Sequence, residues 1–311
     1  MALVPKISVV LPVFNRESLV ALSVASILAQ DFEDFELIIV NDGSTDGTLE
    51  VLGGFDDPRI RLVTMPTTCG NAIARNLGLN LARGEFIATM DSDDVALPER
   101  LGKQWRFLKA HPDVDFLGTN LFKIVSGQSF QQEHAADDAI IKARLLALTG
   151  VAMIHPTTMM RAEFLRKHGL RYPMVRTDVD HALWIEAMLR GARFAVLQDY
   201  LLCYYRHEGN LTAESGPDHA GHQRRKTPMR ARLLGLFFPK LTHDEALAIA
   251  QWMEAGREHA IADVCAAITA IRKAAMDTTS YWGESKAEVI GILEAQFRGA
   301  VQALQGKRRP A

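Results

Sequence analysis

Phe86-Ile87-Ala88-Thr89-Met90-Asp91-Ser92-Asp93-Asp94 is the stretch on which the reading of this chain turns. An apolar run rich in strand-forming residues ends in three carboxylates within four positions. Such a run predicts a buried strand. Carboxylates crowded at its C-terminal tip repel one another unless a cation or a shared proton neutralises them. Hard divalent cations such as Mg²⁺ and Mn²⁺ favour oxygen ligands of this kind. A solvated turn, where Asp and Ser are common, is the competing reading.

The segments upstream decide between the two. Ile7-Ser8-Val9-Val10-Leu11-Pro12 predicts a first buried strand stopped by its proline. Residues 17–30 carry Leu19, Leu22, Ala25, Ile27 and Leu28 at helical spacing. Glu36-Leu37-Ile38-Ile39-Val40 is a second strand, running into the turn-rich loop 41–48. Thr45 or Asp46 is placed to cap a short helix near residues 49–52. Residues 59–63 predict a third strand and 71–81 a helix with Ile73, Leu77 and Leu81 on its apolar stripe. The opening stretch is then the fourth strand. Strands alternating with helices imply a parallel, doubly wound α/β sheet, whose ligands sit beyond the carboxyl ends of the strands. Pro12, Asp42, Asp91 and Asp93 all stand at such ends, so the fold brings them to one crevice.

Beyond residue 97 the alternation loosens. Helices are expected at 98–110, 137–148 and 180–189, and strands at 116–125, 156–160, 194–197 and 201–206. Gly216-Pro217 makes a break, after which the chain is Ala-rich and helical over 244–259, 260–275 and 286–304. A domain boundary is expected near residue 215, giving a 1–215 domain and a helical 216–311 appendage.

With 48% hydrophobic and 23% charged residues among 311, the composition is that of a globular protein. The formal charge of -2 gives no global footprint for nucleic acid. Cys69, Cys203 and Cys265 are odd in number, widely spaced and form no CxxC pair, which argues for a reducing compartment and against structural zinc. The N-terminus lacks the basic region and apolar core of a signal peptide, and no segment is apolar enough to span a bilayer. The expected location is the cytoplasm.

Two motif matches have to be set aside or weighed. Asp42 to Gly47 superficially opens like a calcium-binding EF-hand loop, but the twelfth position, which needs a bidentate glutamate, holds Gly53. No dinucleotide-binding glycine fingerprint and no P-loop is present. Asp91-Ser92-Asp93-Asp94-Val95 also fits the D-x-D-x-V nucleophile pattern of haloacid-dehalogenase-like phosphatases, although there it follows the first strand and here the fourth. What remains at Asp42 is a carboxylate able to accept a hydrogen bond from a base or ribose.

Four motifs, in the matching order and spacing, resemble family-2 glycosyltransferases: residues 7–16, 41–48, 70–76 and 84–94. The resemblance covers roughly residues 6–210. It implies a GT-A fold, a Rossmann-like, mostly parallel sheet flanked by helices, with a nucleotide-binding half of about 1–97 and an acceptor-binding half of about 98–215. It also implies inverting transfer of one sugar from a nucleotide-diphosphate sugar, most often a UDP-sugar, with Mn²⁺ or Mg²⁺. On that resemblance Pro12, Phe14, Asn15, Asp42, Arg75, Asp91, Ser92 and Arg206 serve the donor. Asp93 holds the metal and Asp91 supports it.

An inverting displacement needs a base opposite the leaving diphosphate. Arg176-Thr177-Asp178-Val179-Asp180-His181-Ala182-Leu183-Trp184 resembles the family's Glu-Asp pair before a Leu-Trp helix, with Val179 at the Glu position. Asp180 takes the base position, with Asp178 as second choice; helix capping is the structural alternative. Tyr205-Arg206-His207 resembles a Tyr-Arg-x-His element with its histidine one position early. His155, before Pro156, reads as structural. The Gln-x-x-Arg-Trp motif of processive synthases is absent, so a single transfer is expected. The acceptor expected from the resemblance is a polysaccharide, lipopolysaccharide or other surface glycan, or its lipid-linked precursor. A non-catalytic nucleotide-sugar-binding protein on the same fold is the alternative, and a dehalogenase-type phosphotransferase a third.

Arg224-Arg225-Lys226, Arg230 and Arg232 precede the apolar stretch 233–238. Residues 224–238 are therefore a candidate peripheral contact with the inner face of the membrane, or an amphipathic helix packed on the protein. The helices that follow are a candidate homodimer surface.

Overall fold

The computed structural model describes residues 4–147, 152–174, 179–207, 210 and 238–252, with isolated helical positions between 227 and 298. The chain divides into two compact units, Met1–Ala136 with Met153–His207, and Asp137–Ala152 with Glu208–Ala311.

The first unit is a mixed α/β body around one sheet. Its strands are β1 (Ile7–Val13), β2 (Phe35–Asn41), β3 (Ile60–Thr64), β4 (Phe86–Thr89), β5 (Val95–Ala96), β6 (Phe116–Val125), β7 (Gln128–Gln132), β8 (Met159–Arg161) and β9 (Phe194–Arg206). They follow the order β3-β2-β1-β4-β8-β6-β9-β5, with β7 paired to β6 off that path. The first four strands are parallel neighbours; β8 runs antiparallel between β4 and β6; β6 and β9 are parallel. The helices are α1 (Val20–Leu28), α2 (Thr48–Gly53), α3 (Asn71–Leu81), α4 (Arg100–Ala110), α5 (Asp138–Ala147, in the second unit), α6 (Ala162–Lys167) and α7 (Val179–Leu189).

The apolar runs of β1, β2 and β4 have no polar alternation because both faces of the sheet are covered. Ile7, Val9, Leu11 and Val13 of β1 join Leu37 and Ile39 of β2, Val24 and Ile27 of α1, and Leu101 and Leu108 of α4 in one core. On the opposite face α3 lies close to Val10: a Cβ on Gly78 would come 2.3 Å from Val10 Cγ1, so only glycine permits this approach.

β1 continues through Pro12, where the sequence predicts a stop. Even-numbered residues of β1 face β4, as Val10 does in accepting from Met90 N–H, but β4 has ended before it reaches Pro12. The missing donor of Pro12 thus faces a strand edge where none is required. β9 runs unbroken where two strands are expected. The polar residues between the two apolar runs sit at register shifts against β6, where Asn120 Nδ2 donates to Gln198 O at 3.1 Å. β7 has no apolar alternation, its single apolar residue Phe130 being exposed, and it is returned from β6 by Ser126 and Gly127, both at positive φ. At 156–160 the expected strand is shortened to β8, because Pro156 sits in a single 3₁₀ turn, His155–Thr157.

Most described residues of the second unit are helical. In α5 the buried Lys142 pairs with Asp138 one turn earlier at 2.7 Å. The helix His243–Trp252 starts in a capping box: Thr242 N–H donates to Glu245 Oε2 at 2.8 Å, and Glu245 N–H returns to Thr242 Oγ1 at 3.2 Å. The helices expected at 260–275 and 286–304, and the basic segment 224–238, fall largely outside the described residues. Among the described residues no helix is long and apolar enough to cross a membrane.

Candidate active site

β1 lies between β2 and β4, so its C-terminal loop separates Asp42 from the acidic tip of β4 and touches both sides. Asn15, at φ +50°, accepts from Thr45 N–H at 2.8 Å through its side chain, and its own N–H donates to Ser44 Oγ at 3.0 Å. Arg16 next to it reaches the other way: its Nε lies 3.4 Å from Asp93 Oδ2. Asp46 accepts from the Thr48 N–H at 3.0 Å, ordering the start of α2. Phe14 is exposed at this rim and Ser92 is buried at the β4 tip.

Asp42 is buried, and its carboxylate accepts from Cys69 N–H (2.8 Å), Gly70 N–H (2.9 Å) and Thr68 Oγ1 (3.1 Å), tying β2 to the loop before α3. A carboxylate has about four lone-pair sites, so acceptor capacity remains beyond these bonds. Gly43 is pressed against that loop. With φ +68° and a Cβ that would meet Thr67 C and Thr68 N at 2.7 Å, it tolerates no side chain. Gly43→Ala is expected to lower stability by about 1–3 kcal/mol through backbone strain alone, read as a drop in thermal midpoint; an unchanged midpoint contradicts this placement.

The β4 tip is crowded with charge. Asp91 Oδ1 accepts from Arg75 Nη2 at 2.9 Å. Burial works to raise the Asp91 carboxyl, but Arg75 and the adjacent His155 outweigh it and hold it at about 2. Asp93 is flanked by Arg16 and by His207, whose Nε2 lies 3.1 Å from Oδ2. Burial and the Asp91 charge nevertheless leave the Asp93 carboxyl above its ordinary value. Asp94 is fully buried; Oδ1 accepts from Tyr205 N–H at 3.0 Å, fastening the end of β9 beneath the site, while Oδ2 has no hydrogen-bond partner. Burial, with the charges of Asp91 and Asp93, drives its carboxyl well up, and Asp94 is therefore the member best kept protonated.

Arg100, also fully buried, braces the tip from below, donating to Thr89 O at 2.7 Å and to Gln104 Oε1 at 3.2 Å. Burial lowers it to about 10. No motif singled out this arginine. Asp180 stands in the first turn of α7, its Oδ1 3.7 Å from His181 Nδ1. Burial opposes ionisation there too, but His181, His155 and Arg75 prevail and the carboxyl lies well below the usual range. Arg206, the last residue of β9, is exposed, and Asp178 lies outside the described residues.

Among the described residues no three His, Cys, Asp or Glu side chains are grouped to hold a metal ion by themselves. The donor set at the β4 tip, two carboxylates with one under-neutralised, fits the other mode open to Mg²⁺ and Mn²⁺. In that mode one or two carboxylates are completed by substrate phosphate oxygens.

Known proteins align with much of this chain. The Escherichia coli protein WfgD, a UDP-Glc:alpha-D-GlcNAc-diphosphoundecaprenol beta-1,3-glucosyltransferase, is 28% identical over 200 residues, 64% of this chain and 70-odd per cent (76%) of its own. The solved structure of S. aureus TarS 1–349 in complex with UDP-GlcNAc superposes with a TM-score of 0.63 at 20% identity, over 96% of this chain and 92% of that one. The Pyrobaculum calidifontis mannosyltransferase PcManGT, solved with GDP-Man and Mn²⁺, gives 0.55 at 19% identity, over 97% and 81%. Both superpositions speak to the fold, which is of the GT-A type. The family model for glycosyl transferase family 2 matches residues 8–169, more than half of the chain. The chain belongs to glycosyl transferase family 2, and it is a glycosyltransferase.

Proposed function

We propose that this enzyme moves one sugar, with inversion, from a nucleoside-diphosphate sugar to a hydroxyl of a cell-envelope glycan or its lipid-linked precursor. The observation that carries the reading is the pair Asp91 and Asp93 at the β4 tip, set beside Arg75, Arg16 and His207. A diphosphate with its counter-ion suits this alternation of charges. Uridine is the nucleoside we favour, since TarS holds UDP-GlcNAc and WfgD uses UDP-Glc. The diphosphoundecaprenol acceptor of WfgD supports a lipid-linked substrate met at the inner face of the membrane.

A divalent cation, as in PcManGT, would be held by Asp93 with support from Asp91, and when bound it supplies charge neutralisation for the leaving diphosphate. Pro12, Phe14, Asn15 and Asp42 would line the nucleoside side of the crevice, and Arg206 would close over the phosphates. Asp180, ionised at neutral pH, takes the proton of the acceptor hydroxyl as its oxygen bonds to the anomeric carbon. The bond from that carbon to the diphosphate oxygen breaks, and its electron pair leaves with the nucleotide. Incubation with a panel of UDP- and GDP-sugars should release nucleoside diphosphate only with Mn²⁺ or Mg²⁺, and EDTA should abolish it. Undiminished release in EDTA overturns the metal assignment, and tight binding of a donor without release under any condition overturns the transfer itself.

A further inference from the structure

Behind Asp91 lies a polar cluster of which the reaction as written uses only Arg75. Arg75 Nε donates to Asn71 Oδ1 at 2.7 Å, Nη2 to Asp91 Oδ1 at 2.9 Å, and Nη1 lies 2.6 Å from His155 Nε2. The Tyr172 hydroxyl lies 2.8 Å from that same histidine nitrogen, and the guanidinium sits 5.7 Å from the Tyr172 ring centroid. Arg75, His155 and Tyr172 are all less than one tenth exposed.

The framework around them is fastened from both sides. Asn76 on α3 grips the Tyr172 backbone twice, donating to its carbonyl and accepting from its N–H, each at 2.8 Å. The carbonyl of His155 accepts from the hydroxyl of Thr89, the last residue of β4. The two aromatic side chains thus have fixed bases, and they act in relay: the Tyr172 hydroxyl meets the His155 ring, and the ring meets the guanidinium.

An arginine stem is long, and one carboxylate does not by itself fix its rotamer. Arg75 also feels a second carboxylate, because the charge of Asp180 acts on it along with that of Asp91. A guanidinium drawn toward that second charge would be lost to the donor side.

We propose that His155 and Tyr172 are positioning residues that hold the Arg75 guanidinium on Asp91, so that the diphosphate meets a preset charge pair. This rests on the donor site argued above. Neither residue touches substrate; each acts through Arg75. The reading at first sight, a lone structural histidine, assigns His155 to packing only.

Tyr172→Phe removes the hydroxyl and keeps the ring, making it the mildest probe. It is to be compared with wild type in metal-dependent nucleotide release, using whichever sugar of the UDP and GDP panel the wild type turns over fastest. His155→Asn is the second variant, and thermal midpoints are recorded for all three proteins. The expected result is a donor KM raised about fivefold, the size of one lost hydrogen bond, with kcat changed by less than about twofold, in both variants. A lowered midpoint with unchanged KM, or a fall in kcat with unchanged KM, overturns the positioning role. No release by the wild-type protein overturns the donor reading itself, and the inference with it.

Discussion

Asp93→Asn is expected to lower metal-dependent nucleotide release by about 10²–10³-fold, the loss that follows removal of one group aimed at developing charge. The substitution is isosteric, so the β4 tip keeps its shape while losing its charge. Of the two carboxylates assigned to the cation, Asp93 is the one the protein leaves less satisfied. Burial and Asp91 push its carboxyl up, and Arg16 and His207 only partly answer them. Asp91, by contrast, is already spoken for by Arg75. An incoming cation therefore gains most at Asp93, and an amide there keeps one neutral oxygen in place of an anionic one. Raising Mn²⁺ should not restore the rate. The check is steady-state release across an Mn²⁺ series, and a variant that turns over at the wild-type rate rejects Asp93 as the anchor.

Asp180→Asn should leave donor affinity near wild type and cut transfer by about 10²–10⁴-fold, the usual contribution of a positioned general base. The carboxyl of Asp180 lies well below the ordinary range, because His181, His155 and Arg75 outweigh the effect of burial. It is thus fully ionised at neutral pH and in the state a base requires. It is also a weak base for the same reason, so proton transfer must occur late, as the anomeric carbon–oxygen bond forms. Binding of UDP or GDP by calorimetry separates affinity from turnover. Wild-type turnover in this variant, with loss in Asp178→Asn instead, moves the base two residues earlier.

Much of this arrangement is legible without coordinates. The apolar runs of β1, β2 and β4 stand between strong turn signals, and their uninterrupted hydrophobicity reports burial on both faces. From alternation of strand and helix it follows that Asp42 and Asp91 flank the tip of β1. The sheet beyond β4 is harder to read because its signals are weak. β7 is polar but for Phe130 and β5 is two residues long, while β8 enters antiparallel after a proline turn. The cluster around Arg75 was hidden for a different reason. Asn76 and Tyr172 are far apart in sequence, and nothing in either local pattern announces a two-point clasp between them. Arg100 escapes for the same reason: a basic residue at the start of a helix looks solvent-exposed until β4 is laid against it.

On the proposed mechanism, the acidic tip of β4 becomes a cation site only together with a diphosphate. A titration of the protein with Mn²⁺, followed by water proton relaxation in the presence and absence of UDP or GDP, tests it most directly. Weak or no Mn²⁺ binding to the protein alone is expected, since two carboxylates already paired with arginine and histidine are a poor site by themselves. Binding should become at least about tenfold tighter, equivalent to about 1.4 kcal/mol, once the nucleotide is added. Equal Mn²⁺ affinity with and without nucleotide, or no protein-bound Mn²⁺ in the ternary mixture, would contradict it.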